Sequence, residues 1–350
     1  MVTALVGGQY GSEGKGVIAA HLAGRYQVHV RTGGPNAGHS FVHEGRLWKM
    51  RSVPCGWASP QARLVIGAGG LVDPELLRSE AAALDATGYA VSARLLVDRH
   101  AGLLDERFHE LEGGTGGEAH QRIGSTGEGI GPARMARIAR GTCAPPYDRF
   151  RLAADAAPGE LPGTIADTAL LLNEAIDRGE NVLLEGTQGS GLSLIHGPWP
   201  YVTSADTNAA QLAADAGIAP QRVSDVLLVC RTFPIRVGGN SGPLAEETSW
   251  QELGLAEERT TVTQTVRRVG RFDWEMVARA VMLNRPARIA LTFLDYLYPE
   301  LRGERDWARF PEQARRHVFA LEQRLGVPVG LIGTGPDADG VFAVCERGYR

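Results

Sequence analysis

Eight short apolar runs set the strongest limit on how this chain folds. They are "TALVGG", "YQVHVRT", "ARLVIGAG", "ARLLVD", "NVLLEGT", "VSDVLLVC", "ARIALTFL" and "VGLIGT". Short continuous apolar runs suit strands buried on both faces, the pattern of a parallel sheet. Several end in Gly or Asp, as strands do where their C-terminal ends open onto a ligand cleft. Helix-period segments lie between them. Residues 74–84 follow Asp73, an N-cap with Pro74 at N1. Residues 164–178 carry apolar side chains at Ile165, Ala169, Leu172 and Ile176, and Gly179 ends the pattern. Residues 274–283 and 311–325 are helical by the same reading. The alternation predicts an α/β fold: a single large domain over residues 1–350, with a mostly parallel central sheet, flanking helices and long Gly-rich loops. Residues 153–163, "AADAAPGELPG", are expected at the surface.

The loops hold the chemistry. "GGQYGSEGKG" (7–16) directly follows the first apolar run. A Gly-rich turn opening a helix offers backbone N–H groups to phosphate, and Lys15 adds a point charge. It is not a Walker A loop, because Gln9 and Gly16 stand where that motif needs Gly and Ser or Thr. "GGPNAGHSF" (33–41) sets His39 behind flexible backbone, either beside a ligand or as a hydrogen-bonded loop histidine. "GSTGEGIGPA" (124–133) crowds glycines and hydroxyls as an anion-binding nest does. "LLEGTQGSGLSLIHGPWPYVTSADT" is a strand followed by a polar, Gly-rich loop. In "TTVTQTVRRVGRFDWE", Arg267, Arg268 and Arg271 either clamp carboxylates or form a solvated face.

Composition narrows the partners. A net charge of −4 without a basic stretch argues against nucleic acid and membrane surfaces. No run has the length of a membrane span, and the opening residues lack a signal-peptide pattern. The four cysteines (Cys55, Cys143, Cys230, Cys345) are far apart and form no CxxC pair. Free thiols in a cytoplasmic protein are the expectation. Glycine accounts for 45 of 350 residues, well above the usual ~7%.

In this order the five motifs resemble the adenylosuccinate synthetase family, most closely its shorter form, from the first strand to "GTGPD" near the C-terminus. The resemblance implies a P-loop-NTPase-like fold without a standard Walker A. It also implies a ligase that uses GTP and Mg²⁺ to phosphorylate O6 of IMP, after which the amino group of aspartate displaces the phosphate. By motif, His39 is then the acid at O6, and Gln188 faces the reacting 6-position. Gly11, Glu13, Gly14, Lys15 and Gly16 form the donor's phosphate loop, while Asp295, Thr334, Gly335 and Pro336 meet its base. Asn36, Thr126 and Thr203 hold the acceptor nucleotide, with Arg140 reaching its phosphate across a homodimer interface. Thr261, Val262, Thr263 and Arg267 receive aspartate. Ser12 and the Gly38 carbonyl occupy the Mg²⁺-binding positions.

The chain departs from the family at informative places. The family's loop reads G-D-E-G-K-G, and its Asp takes the N1 proton of the purine; here that position is Ser12. Loss of a general base costs about 10²–10⁴ in rate. A guanine acceptor changes the balance. It carries a 2-amino group beside N1, which a carboxylate would crowd and which the shorter Ser12 hydroxyl can accept. Thr265 stands at an arginine that meets the ribose 2′-hydroxyl, which suits a deoxyribose. Both changes resemble the phage-encoded branch that joins dGMP to L-aspartate on the way to 2-aminoadenine, and place the activity in a host cytoplasm. Phe293 replaces a donor-site lysine, leaving GTP, ATP and dATP as donors, and Glu128 replaces an arginine near the aspartate site. An ordinary IMP-using enzyme and a binding-only homologue are the competing readings.

Overall fold

The computed structural model describes residues 1–114, 117–260 and 264–344. Each of the eight apolar runs contributes a strand to one ten-stranded sheet. In chain order the strands needed here are Val2–Gly7 (β1), Val28–Arg31 (β2), His39–His43 (β3), Arg46–Met50 (β4), Arg63–Ile66 (β5) and Leu95–Asp98 (β6). They continue with Thr164–Ala166 (β7), Val182–Glu185 (β8), Val223–Arg231 (β9), Arg288–Thr292 (β10), Val329–Gly333 (β11) and Val341–Ala343 (β12). Across the sheet the order is β7-β6-β5-β2-β8-β1-β9-β10-β11-β12. Every neighbouring pair is parallel except the last, where β12 turns back on β11. β3 and β4 form a separate antiparallel hairpin.

Alternate residues of each strand feed two cores. Leu5, Leu183, Leu227 and Val229 face a layer built from the helix Lys15–His21 (α1), the β3–β4 hairpin and Trp57. Ala4, Val6, Leu184 and Leu228 face helices carrying Leu172, Leu212, Val277 and Leu321. Period-two alternation with both faces covered is what continuous apolar runs allow.

Three of the four expected helices start and stop within a residue of their sequence signals: Pro74–Asp85, Trp274–Asn284 and Glu312–Leu325. The fourth is shorter. Residues 164–166 are the edge strand β7, and the helix Thr168–Asp177 begins only after Asp167, whose carboxylate accepts from Leu170 N at 3.1 Å. Ile165 therefore belongs to a strand and is 40% exposed. Most of 153–163 lies at the surface, although Ala153 and Leu161 are buried. Among the described residues, no helix is long and apolar enough to cross a membrane.

The sheet order positions the site. β1 lies between β8 and β9, so the loops that leave β1 and β8 meet at the C-terminal edge of the sheet. Open α/β sheets bind ligands there.

Candidate active site

The loop after β1 is built around Glu13. Its Oε1 accepts from Gln9 N at 2.9 Å and Gly11 N at 2.7 Å, and its Oε2 receives Lys15 Nζ at 2.7 Å. Lys15 Nζ also donates to Gly11 O at 3.1 Å. Glu13 and Lys15 are both buried, so the acid and the base of the phosphate loop face each other inside it. Thr292 Oγ1 donates to Glu13 O at 2.6 Å, and Gln9 exchanges two 2.9 Å bonds with the Arg231 backbone. These bonds fasten the loop to the ends of β9 and β10. The loop after β8 presses against it closely enough to demand glycine: a Cβ on Gly189 would lie 2.5 Å from Gln9 O and from Glu13 Oε1. Gln188 beside it has φ of 62°, rare for a residue with a side chain.

Behind this floor sits a buried charge cluster. The parallel register of β2 and β8 sets Arg31 beside Glu185 at the strand ends. Glu185 Oε1 accepts from Arg31 Nη1 at 3.0 Å and from His39 Nδ1 at 2.6 Å, while its Oε2 accepts from Cys55 N at 2.7 Å. Burial and the Arg31 charge pull His39 down to about 4, against the pull of Glu185. Burial pushes the Glu185 carboxyl up, but His39, Arg31 and the Cys55 amide outweigh it and hold the group at about 2. The imidazole is therefore neutral, with its Nδ1 proton on an ionised carboxylate, and Nε2 has no partner among the described residues. His39, Cys55 and Glu185 bring metal-ligating atoms within 4.8 Å of one another, yet the Arg31 guanidinium already supplies the positive charge there.

A cavity of about 460 Å³ opens in front of the two loops, a size suited to a nucleotide. Gly11, Ser12, Asn36, Gly38, Gln188 and Arg267 line one side of it, and Thr126 and Thr203 also reach it. Arg267 Nη1 donates to Ser12 Oγ at 2.9 Å, so two positions 255 residues apart meet at its floor. Arg267 and Arg236 bring positive charge; the only carboxylate among the described lining residues, Glu112, accepts from Ser125 Oγ and Gly129 N. The cavity suits an anion.

The remaining candidates lie elsewhere. Thr265 stands one layer back, bonded through its N–H to Thr260 Oγ1 at 3.0 Å, while Thr260 lines the cavity. Thr261, Val262 and Thr263 lie outside the described residues. Arg268 pairs with Glu247 at 2.5 Å and Arg271 is exposed, which leaves Arg267 as the arginine of that run inside the cavity. Glu128 pairs with Arg51, which also donates to Pro35 O, tying the 124–131 loop to the 33–38 loop. Asp295, Thr334, Gly335 and Pro336 follow the neighbouring strands β10 and β11 outside the cavity. Burial pushes the Asp295 carboxyl up, and its Oδ1 has no partner among the described residues. Arg140 is exposed and closes the far end of the helix Ile130–Ala139, whose first residues line the cavity. Gly16 and the phosphate loop back onto His39: a Cβ on Gly16 would meet His39 Cβ at 2.7 Å.

Sequence reasoning passed over Arg31, Glu185, Tyr10 and Arg236. The first two were visible only as single charges ending apolar runs. Arg236 is buried over the Tyr10 ring at 4.4 Å and donates to Tyr201 O at 2.9 Å, holding the loop that carries Thr203.

Of the two positions expected at Mg²⁺, Gly38 fits, as a cavity-lining residue with a hard carbonyl oxygen. Ser12 does not fit in this arrangement, because a cation on its hydroxyl would stand beside the Arg267 guanidinium.

Comparison with known proteins follows the same outline. A family model described as adenylosuccinate synthetase matches residues 4–144 and 153–302. The chain is 41% identical over 344 residues to the adenylosuccinate synthetase of Pyrococcus horikoshii, covering 97% of each protein. It is 41% identical over 341 residues to that of Methanocaldococcus jannaschii, covering 96% of this chain and 94% of the other. Among solved structures, the fully ligated adenylosuccinate synthetase of Plasmodium falciparum has the same fold, with a TM-score of 0.87 at 22% identity over 98% of this chain and 99% of that one. The succinoaminodeoxyadenylate synthetase of cyanophage S-2L, bound to dGMP and to dATP as energy donor, gives a TM-score of 0.80 at 30% identity over 98% and 95%.

Proposed function

The chain belongs to the adenylosuccinate synthetase family of carbon–nitrogen ligases, which use a nucleoside triphosphate and aspartate, and on that premise we propose that its acceptor is dGMP and its product N6-succino-2-amino-2′-deoxyadenylate. Ser12 carries this reading. It lies in the cavity floor with a hydroxyl rather than a carboxylate, and Arg267 uses one of its two acceptor lone pairs. The other lone pair is available to a guanine 2-amino group. The dGMP held by the cyanophage enzyme supports the same acceptor. The archaeal relatives, named adenylosuccinate synthetases, favour IMP as the second reading.

In the proposed reaction, Thr126 and Thr203 hold the acceptor's 5′-phosphate, and Gln188 and His39 face its 6-position. His39 Nε2, the unpartnered nitrogen, takes up the proton that leaves purine N1 and hydrogen-bonds it to the resulting O6 oxyanion, while ionised Glu185 steadies the imidazolium. The donor passes its γ-phosphoryl group to O6, and the aspartate amine then displaces phosphate at C6. Gly38 would hold Mg²⁺ together with the nucleotide phosphates, and the ion would supply charge neutralisation for phosphoryl transfer. Arg267 receives a carboxylate of aspartate. Asp295 and residues 334–336 meet the donor's base, guanine or adenine. Arg140 reaches the acceptor phosphate of a second copy.

The test is phosphate release with aspartate, Mg²⁺ and a GTP/ATP mixture, comparing dGMP, GMP and IMP. Turnover with dGMP in preference to IMP is the expected result. Preference for IMP would return the chain to ordinary adenylosuccinate synthesis, and silence with all three would leave a nucleotide-binding homologue.

A further inference from the structure

We propose that Arg51 is a positioning residue for the acceptor nucleotide: its guanidinium bridges the 33–38 and 124–131 loops through Pro35 O and Glu128, setting two walls of the cavity at binding distance before the nucleotide arrives. This rests on the reading that Asn36 and Thr126 hold the acceptor.

Arg51 starts from a fixed point. The Glu80 carboxylate, on the helix Pro74–Asp85, accepts from three consecutive amides: Arg51 N at 2.6 Å through Oε1, and Ser52 N and Val53 N at 3.0 and 2.9 Å through Oε2. Leu77, Ala81 and Leu84 root that helix in the core. From this base Arg51 Nε donates to Pro35 O at 2.7 Å, and its Nη2 pairs with Glu128 Oε2. The two side chains are 22% and 14% exposed, so the pair is sheltered from much of the screening that weakens surface ion pairs.

Each loop is also tied to its own side of the cavity. Arg31 Nη2 donates to Ala37 O at 2.5 Å, so arginines hold the carbonyls of residues 35 and 37, while Asn36 and Gly38 line the cavity. Opposite, Glu112 accepts from Ser125 Oγ and Gly129 N, on the two flanks of Thr126. The loops touch where Gly34 meets Ile130: a Cβ on Gly34 would lie 2.7 Å from Ile130 Cδ1. Among the described residues no hydrogen bond joins the two loops directly, and their polar link runs through Arg51. Neither Arg51 nor Glu128 is among the described residues that line the cavity, so the pair acts on the acceptor through the loops.

The guanidinium suits this task because its N–H groups form a rigid fork, and one plane reaches a carbonyl on one loop and a carboxylate on the other. Without the bridge the loops can part, and apparent affinity falls by the fraction of molecules that remain binding-competent.

Glu128→Gln keeps the shape without the charge, and Arg51→Lys keeps the charge without the fork. Calorimetry reads the acceptor Kd of each variant with whichever of dGMP, GMP and IMP the wild-type enzyme binds most tightly, and the Kd for GTP or ATP beside it. Hydrogen exchange follows the 33–38 and 124–131 segments. The expected result is an acceptor Kd about fivefold or more above wild type in both variants, with an unchanged donor Kd. Both segments exchange faster than wild type in the free variants and return to the wild-type rate at saturating acceptor. A wild-type acceptor Kd in either variant overturns the proposal. So does an equal loss of donor binding, which marks a general loosening of the fold, or unaltered exchange. Thr126→Ala separates this from the site assignment. An unchanged acceptor Kd there removes the assignment and this proposal together; a raised one, with Arg51→Lys and Glu128→Gln at the wild-type value, removes the bridge alone.

Discussion

Glu185 Oε1 stands 2.6 Å from His39 Nδ1, and the same oxygen accepts from Arg31 at 3.0 Å. That bond fixes which imidazole nitrogen carries the proton and aims the other away from the carboxylate. His39→Asn is expected to lower kcat by about 10²–10⁴, the usual cost of losing a positioned acid or base, with a smaller change in acceptor KM. Glu185→Gln keeps the shape but removes the charge, so kcat falls in the same direction and by less. Steady-state kinetics on both variants checks this; an unchanged kcat in His39→Asn removes the histidine from the chemistry.

The same pair makes stability depend on pH. In the unfolded chain His39 titrates near 6.5 and Glu185 near 4.5; in the fold they titrate at about 4 and about 2. Between those values the unfolded state binds more protons, so stability falls as pH drops from 6.5 through 4 and onward to 2. The His39 part amounts to about 3 kcal/mol. Urea unfolding at several pH values below neutrality should show that loss, and His39→Gln should flatten its upper portion. A wild-type curve level from pH 7 to 4 would contradict it.

Gly189 admits no side chain. Its Cβ would meet Gln9 O, Glu13 Oε1 and Gly11 N at 2.5–2.7 Å, all parts of a braced loop. Gly189→Ala is expected to destabilise the protein by about 1–3 kcal/mol, as overpacking does, and to weaken donor binding by displacing the loop amides. Thermal melting and nucleotide titration read the two effects separately.

Arg140 offers a test of assembly. In the proposed dimer each site uses His39 from one chain and Arg140 from its partner. Mixed dimers of His39→Asn and Arg140→Leu then contain one native site, and random mixing of the two inactive variants restores about a quarter of wild-type activity. Absence of recovery after confirmed subunit exchange would place Arg140 outside the neighbouring site.

The sheet was legible because its central strands are apolar on both faces, and eight such runs became eight strands. The three-residue strands β7 and β12 were not, since edge strands this short carry little pattern. Thr164 and Ile165 even continued a helical period. In the site, loops rich in glycine announced themselves, and Ser12 stood out against its motif. The partnership of Glu185 with Arg31 did not, because it depends on the register between strands whose residues are 154 positions apart. Arg267 meeting Ser12 is likewise a product of tertiary folding, invisible in either motif alone.

The place of β1 in the sheet also governs how the chain matures during synthesis. Its two neighbours, Val182–Glu185 and Val223–Arg231, emerge from the ribosome long after it does. Until then the first strand has both hydrogen-bonding edges open, and the phosphate loop lacks the walls that brace it. A nascent chain released before about residue 231 would expose unpaired apolar strand edges, the kind of surface that aggregates. Catalytic competence and protection from misassembly therefore arrive together, late in translation, as the long-range pairings close.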